Sequence, residues 1–263
     1  MSFQAREALP GIFHIMDSMG VCMTLLTGTQ SALLLDTGYG FEDVSAFVGT
    51  LTGLPVQVVL SHGHHDHSLG AGWFSKVSVL EAELGTLREY TGEKWRRKVL
   101  LDAENAGVLV SAEDQREYLT AQMPVFECIR EGTIQVGGLS AQVSACPGHT
   151  PGSAVIFVPE RELLLTGDDW NPCTWVFFPE ALSAGEYRSN VSRLLALPFK
   201  HILCPHTDRT CSREEFELFI SGLTDEALEN APDSPEGDAK GIHTAKVFLK
   251  GEYAFVFDRD RIR

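Results

Sequence analysis

Four residues able to bind a metal ion fall within six positions: His62, His64, Asp66 and His67, in the run His62-Gly63-His64-His65-Asp66-His67. Imidazole and carboxylate donors suit Zn2+, Fe2+ or Mn2+, whereas a cysteine-rich set would favour zinc more narrowly. His62 and His64 are two apart, so in an extended segment both rings face the same way. Asp66 and His67 follow where the chain must turn, and adjacent residues on a turn can splay toward a second point a few ångströms away. His65 points opposite to His64 and is not expected to ligate.

Three more candidates lie downstream. His149 sits in Pro147-Gly148-His149-Thr150-Pro151-Gly152-Ser153, a run of rigid turn chemistry after a strand. Asp168 follows the apolar run Leu163-Leu164-Leu165 through Thr166-Gly167, and His206 follows Cys204-Pro205. Each stands at the C-terminal end of an expected strand, where open α/β sheets place ligands and catalytic groups. Asp36 could brace the metal loop through hydrogen bonds, although turn-forming chemistry explains it about as well. His14, His201 and His243 have no partners in this pattern and are assigned structural or surface roles.

The elements that must position these residues alternate between strand and helix. Val56 to Leu60 is a continuous apolar run, which predicts a strand buried on both faces that delivers the His/Asp cluster at its end. Strands are expected at Ile12 to Met16, Val21 to Leu26, Ala32 to Leu35, Thr133 to Val136, Leu139 to Ala145, Ala154 to Val158, Leu163 to Thr166 and His201 to Cys204. Phe41 to Leu51 has helical spacing, and Leu80 to about Met123 reads as a helical insertion. Ser183-Ala184-Gly185-Glu186 and Ser212-Arg213-Glu214-Glu215 are capping boxes that open helices. Asp225 to Lys240 is polar with two prolines and reads as a surface loop, and Val247 to Leu249 with Tyr253 to Phe257 suggests a closing hairpin. The expectation is one α/β (α+β) domain over 1–263 with two similar halves, a helical insertion at about 81–124 and a C-terminal hairpin at about 245–258.

Composition narrows the function. Hydrophobic residues make up 44% and charged residues 22% of the 263 positions, an ordinary globular profile. No apolar run approaches the ~20 residues needed to span a bilayer, and the N-terminal segment carries no apolar signal core. The net charge of -15 repels a phosphate backbone, so nucleic acid is not an expected partner. Six scattered cysteines without a Cys-x-x-Cys pair read as buried residues or free thiols in a reducing compartment, and a cytoplasmic setting is expected.

Taken together, His62, His64, Asp66, His67, His149, Asp168 and His206 resemble, in order and spacing, the ligand pattern of the metallo-β-lactamase-fold hydrolases. The resemblance covers the chain from Asp36 to His206 and implies a four-layer αββα sandwich with metals at one sheet edge. By resemblance, His62, His64 and His149 would hold one ion, Asp66, His67 and His206 a second, and Asp168 would bridge both. Two divalent ions, Zn2+ first and Fe or Mn as alternatives, would generate a metal-bridging hydroxide. That nucleophile would cleave a small ester, thioester, lactone or phosphodiester, with Asp66 as the catalytic proton shuttle. A bridging aspartate places the chain beside the glyoxalase II-like branch, not among true β-lactamases, which lack it. Lactone hydrolases of this fold carry Tyr three residues after the bridging Asp, where this chain has Asn171. Iron-dependent persulfide dioxygenases share nearly all these ligands and form the alternative reading, with a non-catalytic metal-binding protein as a third.

Two segments are expected to shape the pocket for a small-molecule substrate. The insertion could lie over the metal edge as a lid; its run Lys94-Trp95-Arg96-Arg97-Lys98 could bind an anion or form a solvated helix face. After Asp168, Trp170 and Asn171 are candidate pocket residues, whereas Trp175, Phe177 and Phe178 could equally be core or a homodimer contact.

Overall fold

The apolar runs of the N-terminal half line up in one sheet. The computed structural model describes residues 3–108, 110–235 and 244–263. Its first sheet contains, in spatial order, β1 (Gln4–Leu9), β2 (Ile12–Met16), β3 (Cys22–Thr27), β4 (Ala32–Leu35), β5 (Val56–Val59), β6 (Lys76–Leu80) and β7 (Val125–Ile129). Pairing is antiparallel from β1 to β4 and parallel from β4 to β7. Helix α1 (Val44–Leu51), capped by Asp43, buries Val44 and Val48 against Leu25, Leu34 and Val58. Strand β1 was not expected: its sequence Gln-Ala-Arg-Glu-Ala-Leu has no buried residue, as befits a charged edge strand that discourages further pairing.

Between β5 and β7 the chain makes α2 (His65–Ser68), β6, and then the insertion α3 (Leu84–Tyr90), α4 (Glu93–Asn105) and α5 (Ala112–Thr120). Arg96 is buried and donates from Nη1 to Tyr118 O at 2.5 Å and from Nε to Thr91 O at 3.3 Å. The basic run is therefore split: Arg96 ties α4 to α5, while Lys94, Arg97 and Lys98 are exposed. Val99 and Tyr118 pack on Leu69, which fastens the insertion to the segment just after the His/Asp cluster.

The second half builds β8 (Gly132–Gln135), β9 (Ser140–Ala145), β10 (Ala154–Val158), β11 (Leu163–Leu165), β12 (Cys173–Val176), α6 (Ala184–Ser192), β13 (His201–Leu203), β14 (Cys211–Ser212), α7 (Arg213–Gly222) and α8 (Asp225–Glu229). Its sheet runs β14-β13-β11-β10-β9-β8. Side chains alternate along β10 and β11: Ile156, Val158, Leu163 and Leu165 meet Leu26, Leu33 and Leu35 of the first sheet. Val155, Phe157 and Leu164 face the other way, onto Tyr187, Val191, Phe216 and Phe219 of α6 and α7. The order helix, sheet, sheet, helix is the expected αββα sandwich. The capping boxes at Ser183/Glu186 and Ser212/Glu215 open α6 and α7.

The C-terminal strands β15 (Ala245–Lys250) and β16 (Tyr253–Asp258) pair antiparallel, and β16 also takes β12 as a parallel neighbour. The stretch expected as a loop from Asp225 begins instead as α8, which Thr224 caps; residues 236–240 and His243 lie outside the described residues. Among the described residues, no helix is long and apolar enough to cross a membrane.

Candidate metal centre

Four strand ends of the two sheets deliver the candidate ligands to one place. His62 and His64 follow β5, with Asp66 and His67 in α2; His149 follows β9, Asp168 follows β11 and His206 follows β13. The ligand atoms of His62, His64 and His149 lie within 4.8 Å of one another, as do those of Asp66, His67, Asp168 and His206. Asp168 Oδ2 faces both groups, 3.6 Å from His149 Nε2, 3.6 Å from His67 Nε2 and 3.1 Å from His206 Nε2.

The outward ring nitrogens are held by groups that fix the tautomers. His149 Nδ1 lies 2.5 Å from the Trp175 carbonyl, which can only accept, so Nδ1 carries the proton and Nε2 is left as a lone pair. His67 donates from Nδ1 to Asp36 Oδ2 at 3.0 Å, and His64 donates from Nε2 to Glu180 Oε1 at 2.7 Å. Ser61 Oγ donates to Asp36 at 2.7 Å and lies 3.0 Å from His62 Nδ1, where it can accept. Such outward anchors aim histidine lone pairs at a metal and raise their basicity. Asp36 is thus the brace its position suggested, in a left-handed conformation at φ 65° that Asp tolerates better than most residues.

The inward side fits a cation. His64 Nδ1 and His149 Nε2 stand 2.8 Å apart, both lone pairs once their outward protons are placed. His62 Nε2, His67 Nε2 and Asp168 Oδ1 are buried without a hydrogen-bond partner. Burial drives the His62 imidazole well below its usual range, and drives His149 down to about 4, so both are neutral donors. Burial would raise the Asp66 carboxyl, but His67 and His65 outweigh it and hold it well below the carboxylate range. For Asp168 the same upward push is overcome by His206 and His67. His67 and His206 run the other way: burial would lower both, but Asp66 and Asp168 outweigh it at His67 and Asp168 does so at His206, so a divalent ion entering beside the ionised carboxylates would displace protons from these two rings.

A second tier of buried groups shapes these loops. Glu83, fully buried at the start of the insertion, accepts from Gly63 N at 2.9 Å, Gly152 N at 2.8 Å and Thr150 Oγ1 at 2.8 Å. It joins the His62–His64 loop to the His149 loop. Both glycines are needed for the approach: a Cβ on Gly63 would sit 2.5 Å from Leu87 N, and one on Gly152 would sit 2.4 Å from Glu83 N. Glu180, which holds His64, also accepts the Tyr90 hydroxyl at 2.5 Å. Glu83, Tyr90 and Glu180 were not found from sequence, because nothing local marks them; only the helical insertion and the aromatic segment that carry Tyr90 and precede Glu180 were visible.

A cavity of about 450 Å³ opens over the centre, bordered by Asp66, His149, Asp168 and His206. Asn171 is among the residues that line it, with its side-chain oxygen accepting Cys173 N at 2.8 Å. Trp170 is not. It is fully buried in the α6/α7 core, with ring centroids 5.8 Å from Phe216 and 5.6 Å from Tyr253. The turn after Asp168 sends the two side chains in different directions, so closeness in sequence misplaces Trp170. Trp175 and Phe178 line the cavity, whereas Phe177 is buried with Val247 and Val256. His65 joins neither ligand group; it lines the cavity between Tyr39 and Trp95.

Comparison with known proteins agrees with this geometry. A family model described as the metallo-beta-lactamase superfamily matches residues 19–206. Acyl-coenzyme A thioesterase MBLAC2 of Gallus gallus is 27% identical over 169 residues, covering 56% of this chain and 60% of that protein. Probable metallo-hydrolase YybB of Bacillus subtilis is 28% identical over 139 residues, covering 51% of this chain and 55% of that protein. The chain thus spans well under two thirds of the length of these relatives. Among solved structures, a metallo-beta-lactamase from Pontibacter korlensis aligns with a TM-score of 0.61 at 17% identity, covering 85% of this chain and 100% of that one. A metallo-beta-lactamase family protein from Thermus thermophilus aligns with a TM-score of 0.58 at 19% identity, covering 96% of this chain and 100% of that one.

Proposed function

The chain belongs to the metallo-beta-lactamase superfamily, and from that premise we propose that it is a hydrolase holding two divalent ions, zinc first, that cleaves a small ester, thioester, lactone or phosphodiester. The observation that carries the reading is the pair of imidazole lone pairs of His64 and His149, 2.8 Å apart, with Asp168 Oδ2 set between their group and the Asp66/His67/His206 group. His62, His64 and His149 would hold one ion and Asp66, His67 and His206 the other, with Asp168 common to both. When bound, divalent ions supply Lewis acidity and bring a water's pKa toward neutrality.

The chain's own residues supply the rest. Asp66 Oδ2 lies 3.4 Å from His67 Nε2 and 3.6 Å from His206 Nε2, and Asp66 borders the cavity. It is therefore placed to take a proton from an attacking water and return it to the leaving group. His65 Nδ1 lies 3.3 Å from Asp66 Oδ1, and its ring lines the cavity beside that carboxylate. His206 is the exposed member of the set and forms the solvent side of the centre. The names of the relatives, a thioesterase and a metallo-hydrolase, support a hydrolytic reading and favour its thioester arm.

The test is elemental analysis of natively purified protein, joined to turnover on ester, thioester, lactone and phosphodiester panels. Two ions per chain and hydrolysis that Asp66→Ala abolishes with metal still bound are the expected results. One iron per chain with oxygen consumed on thiol or persulfide substrates would replace the reading by dioxygenation. Bound metal with no turnover on any panel would replace it by a non-catalytic role.

A further inference from the structure

We propose that the cavity over the centre is an acyl pocket that takes an uncharged, apolar acyl group, so that the substrate is a carboxylic ester or thioester and not a phosphodiester. The proposal rests on the hydrolytic reading above for the bond cleaved, and on the cavity walls for the class of group accepted.

Two aromatic walls meet at the metal-binding rings. On the insertion side, Tyr90 and Trp95 stack with centroids 4.4 Å apart and planes at 25°. Tyr90 in turn lies 4.4 Å from the His64 ring. On the other side Phe178 lies 5.3 Å from His64 and 6.0 Å from Trp175. An acyl group whose carbonyl reaches the centre would extend between these walls. The cavity volume of about 450 Å³ is in the range of small-molecule sites.

The polar ends of the wall residues are already engaged by the protein. Tyr90 gives its hydroxyl to Glu180 at 2.5 Å, Trp95 gives Nε1–H to Glu89 at 3.3 Å, and Trp175 gives Nε1–H to Cys173 Sγ at 3.2 Å. What remains for a ligand is ring surface, which rewards burial of CH2 groups and aromatic carbon.

Beyond the metal centre itself, the described cavity walls offer little to an anion. Sites selective for phosphoryl groups add Arg forks or unpaired Lys to their metal ions. Among the described residues, the one Lys or Arg lining this cavity is Lys98, and its ammonium is paired with Asp102. Of the two guanidiniums between Trp95 and Lys98, Arg96 is turned away and bound to Tyr118 O, and Arg97 is paired with Glu93. The net charge of -15 adds a repulsive background.

The experiment uses the metal-loaded protein in two arms. Calorimetry compares hydrolysis-inert N-methylhexanamide, N-methylacetamide and dimethyl phosphate as probes. Kinetics compares p-nitrophenyl acetate, butyrate and hexanoate with bis(p-nitrophenyl) phosphate. One buried methylene is worth about fourfold, so hexanamide should bind at least tenfold tighter than acetamide, and kcat/KM should climb with chain length. Trp95→Ala and, on the opposite wall, Phe178→Ala should each flatten both gradients, and Trp95→Phe should restore most of the slope. Ester cleavage with no dependence on chain length would overturn the acyl pocket and leave the hydrolase reading standing. Preference for the phosphodiester, or tight binding of dimethyl phosphate, would overturn the pocket as well. Chain-length-dependent binding of the amides without cleavage of any ester would support the pocket and sink the hydrolase reading instead.

Discussion

Glu180 accepts a hydrogen bond from Nε2 of His64 at 2.7 Å, and the same carboxylate oxygen takes the Tyr90 hydroxyl at 2.5 Å. One side chain thereby links a metal-facing ring to the helical insertion. Burial pushes the Glu180 carboxyl up, but the bonds from His64 and Tyr90 outweigh it and hold it at about 2, so it is an anion at any working pH. Removing such an outer partner typically costs about 10–100-fold in metal affinity. Glu180→Ala should show a loss of that size in competition with a chromogenic chelator, and Tyr90→Phe a smaller one. Undiminished affinity in Glu180→Ala would mean that packing alone aims His64.

Glu83 closes three hydrogen bonds in the interior, and burial raises its carboxyl above the usual value despite them. Glu83→Ala would strand the N–H groups of Gly63 and Gly152, each at a cost of about 1–3 kcal/mol. We expect a loss of about 3 kcal/mol or more, which for a chain of this size is a fall in Tm of roughly 6–12 °C. Glu83→Gln keeps one acceptor oxygen of two and should fall between. Thermal melts of metal-free protein decide this without interference from ligand binding.

Two glycines should respond to the same substitution with opposite signs. A methyl group on Gly152 would meet Glu83 N at 2.4 Å, so Gly152→Ala should destabilise by about 1–3 kcal/mol. Gly49, inside α1, has nothing within 4 Å of its would-be Cβ. There Ala removes backbone freedom from the unfolded chain and should stabilise by about 0.5–1 kcal/mol. Urea midpoints of both variants provide the check, and a destabilised Gly49→Ala would contradict the open space around it.

His14 gives stability a pH dependence of predictable sign. Its ring is buried, between Thr24 Oγ1 at 3.2 Å and Thr207 O at 3.0 Å, and burial lowers its pKa from 6.5 to about 4. Between those values the unfolded chain binds the proton that the folded one refuses, so this group makes stability fall as pH drops from 6.5 toward 4. The full effect is about 3 kcal/mol. His14→Gln cannot titrate and should lose that part of the slope when urea midpoints at pH 4.5 and 7 are compared with the parent. An identical slope in both proteins would assign the acid sensitivity elsewhere.

What the sequence disclosed and what it hid follow from how local each feature is. His62, His64, Asp66 and His67 are close along the chain, and His149, Asp168 and His206 each trail a strand that its own apolar residues announce. The sandwich was legible for the same reason, since Ile156 and Val155 show their two buried faces in one short strand. Glu180 and Glu83 act across separations of 116 and 67 residues, on His64 and Thr150, and only the folded chain brings them there. β1 escaped notice because an exposed edge strand needs no apolar pattern. Trp170 misled because a large aromatic beside a candidate ligand looks like a pocket wall, whereas its ring completes the core under α7.

The division of the candidate ligands between two sheets also sets an order of events in the life of the chain. His62, His64, Asp66 and His67 belong to the sheet made first, while His149, Asp168 and His206 hang from the sheet made second. Neither half owns a complete set: the first trio lacks His149 and the second group lacks Asp168 and His206. A nascent chain that has released only its N-terminal half therefore competes poorly for ions, and so does one whose sheets have not yet met. Complete coordination would therefore require both halves in place, and the binding energy of an ion held between them would oppose any later parting of the halves.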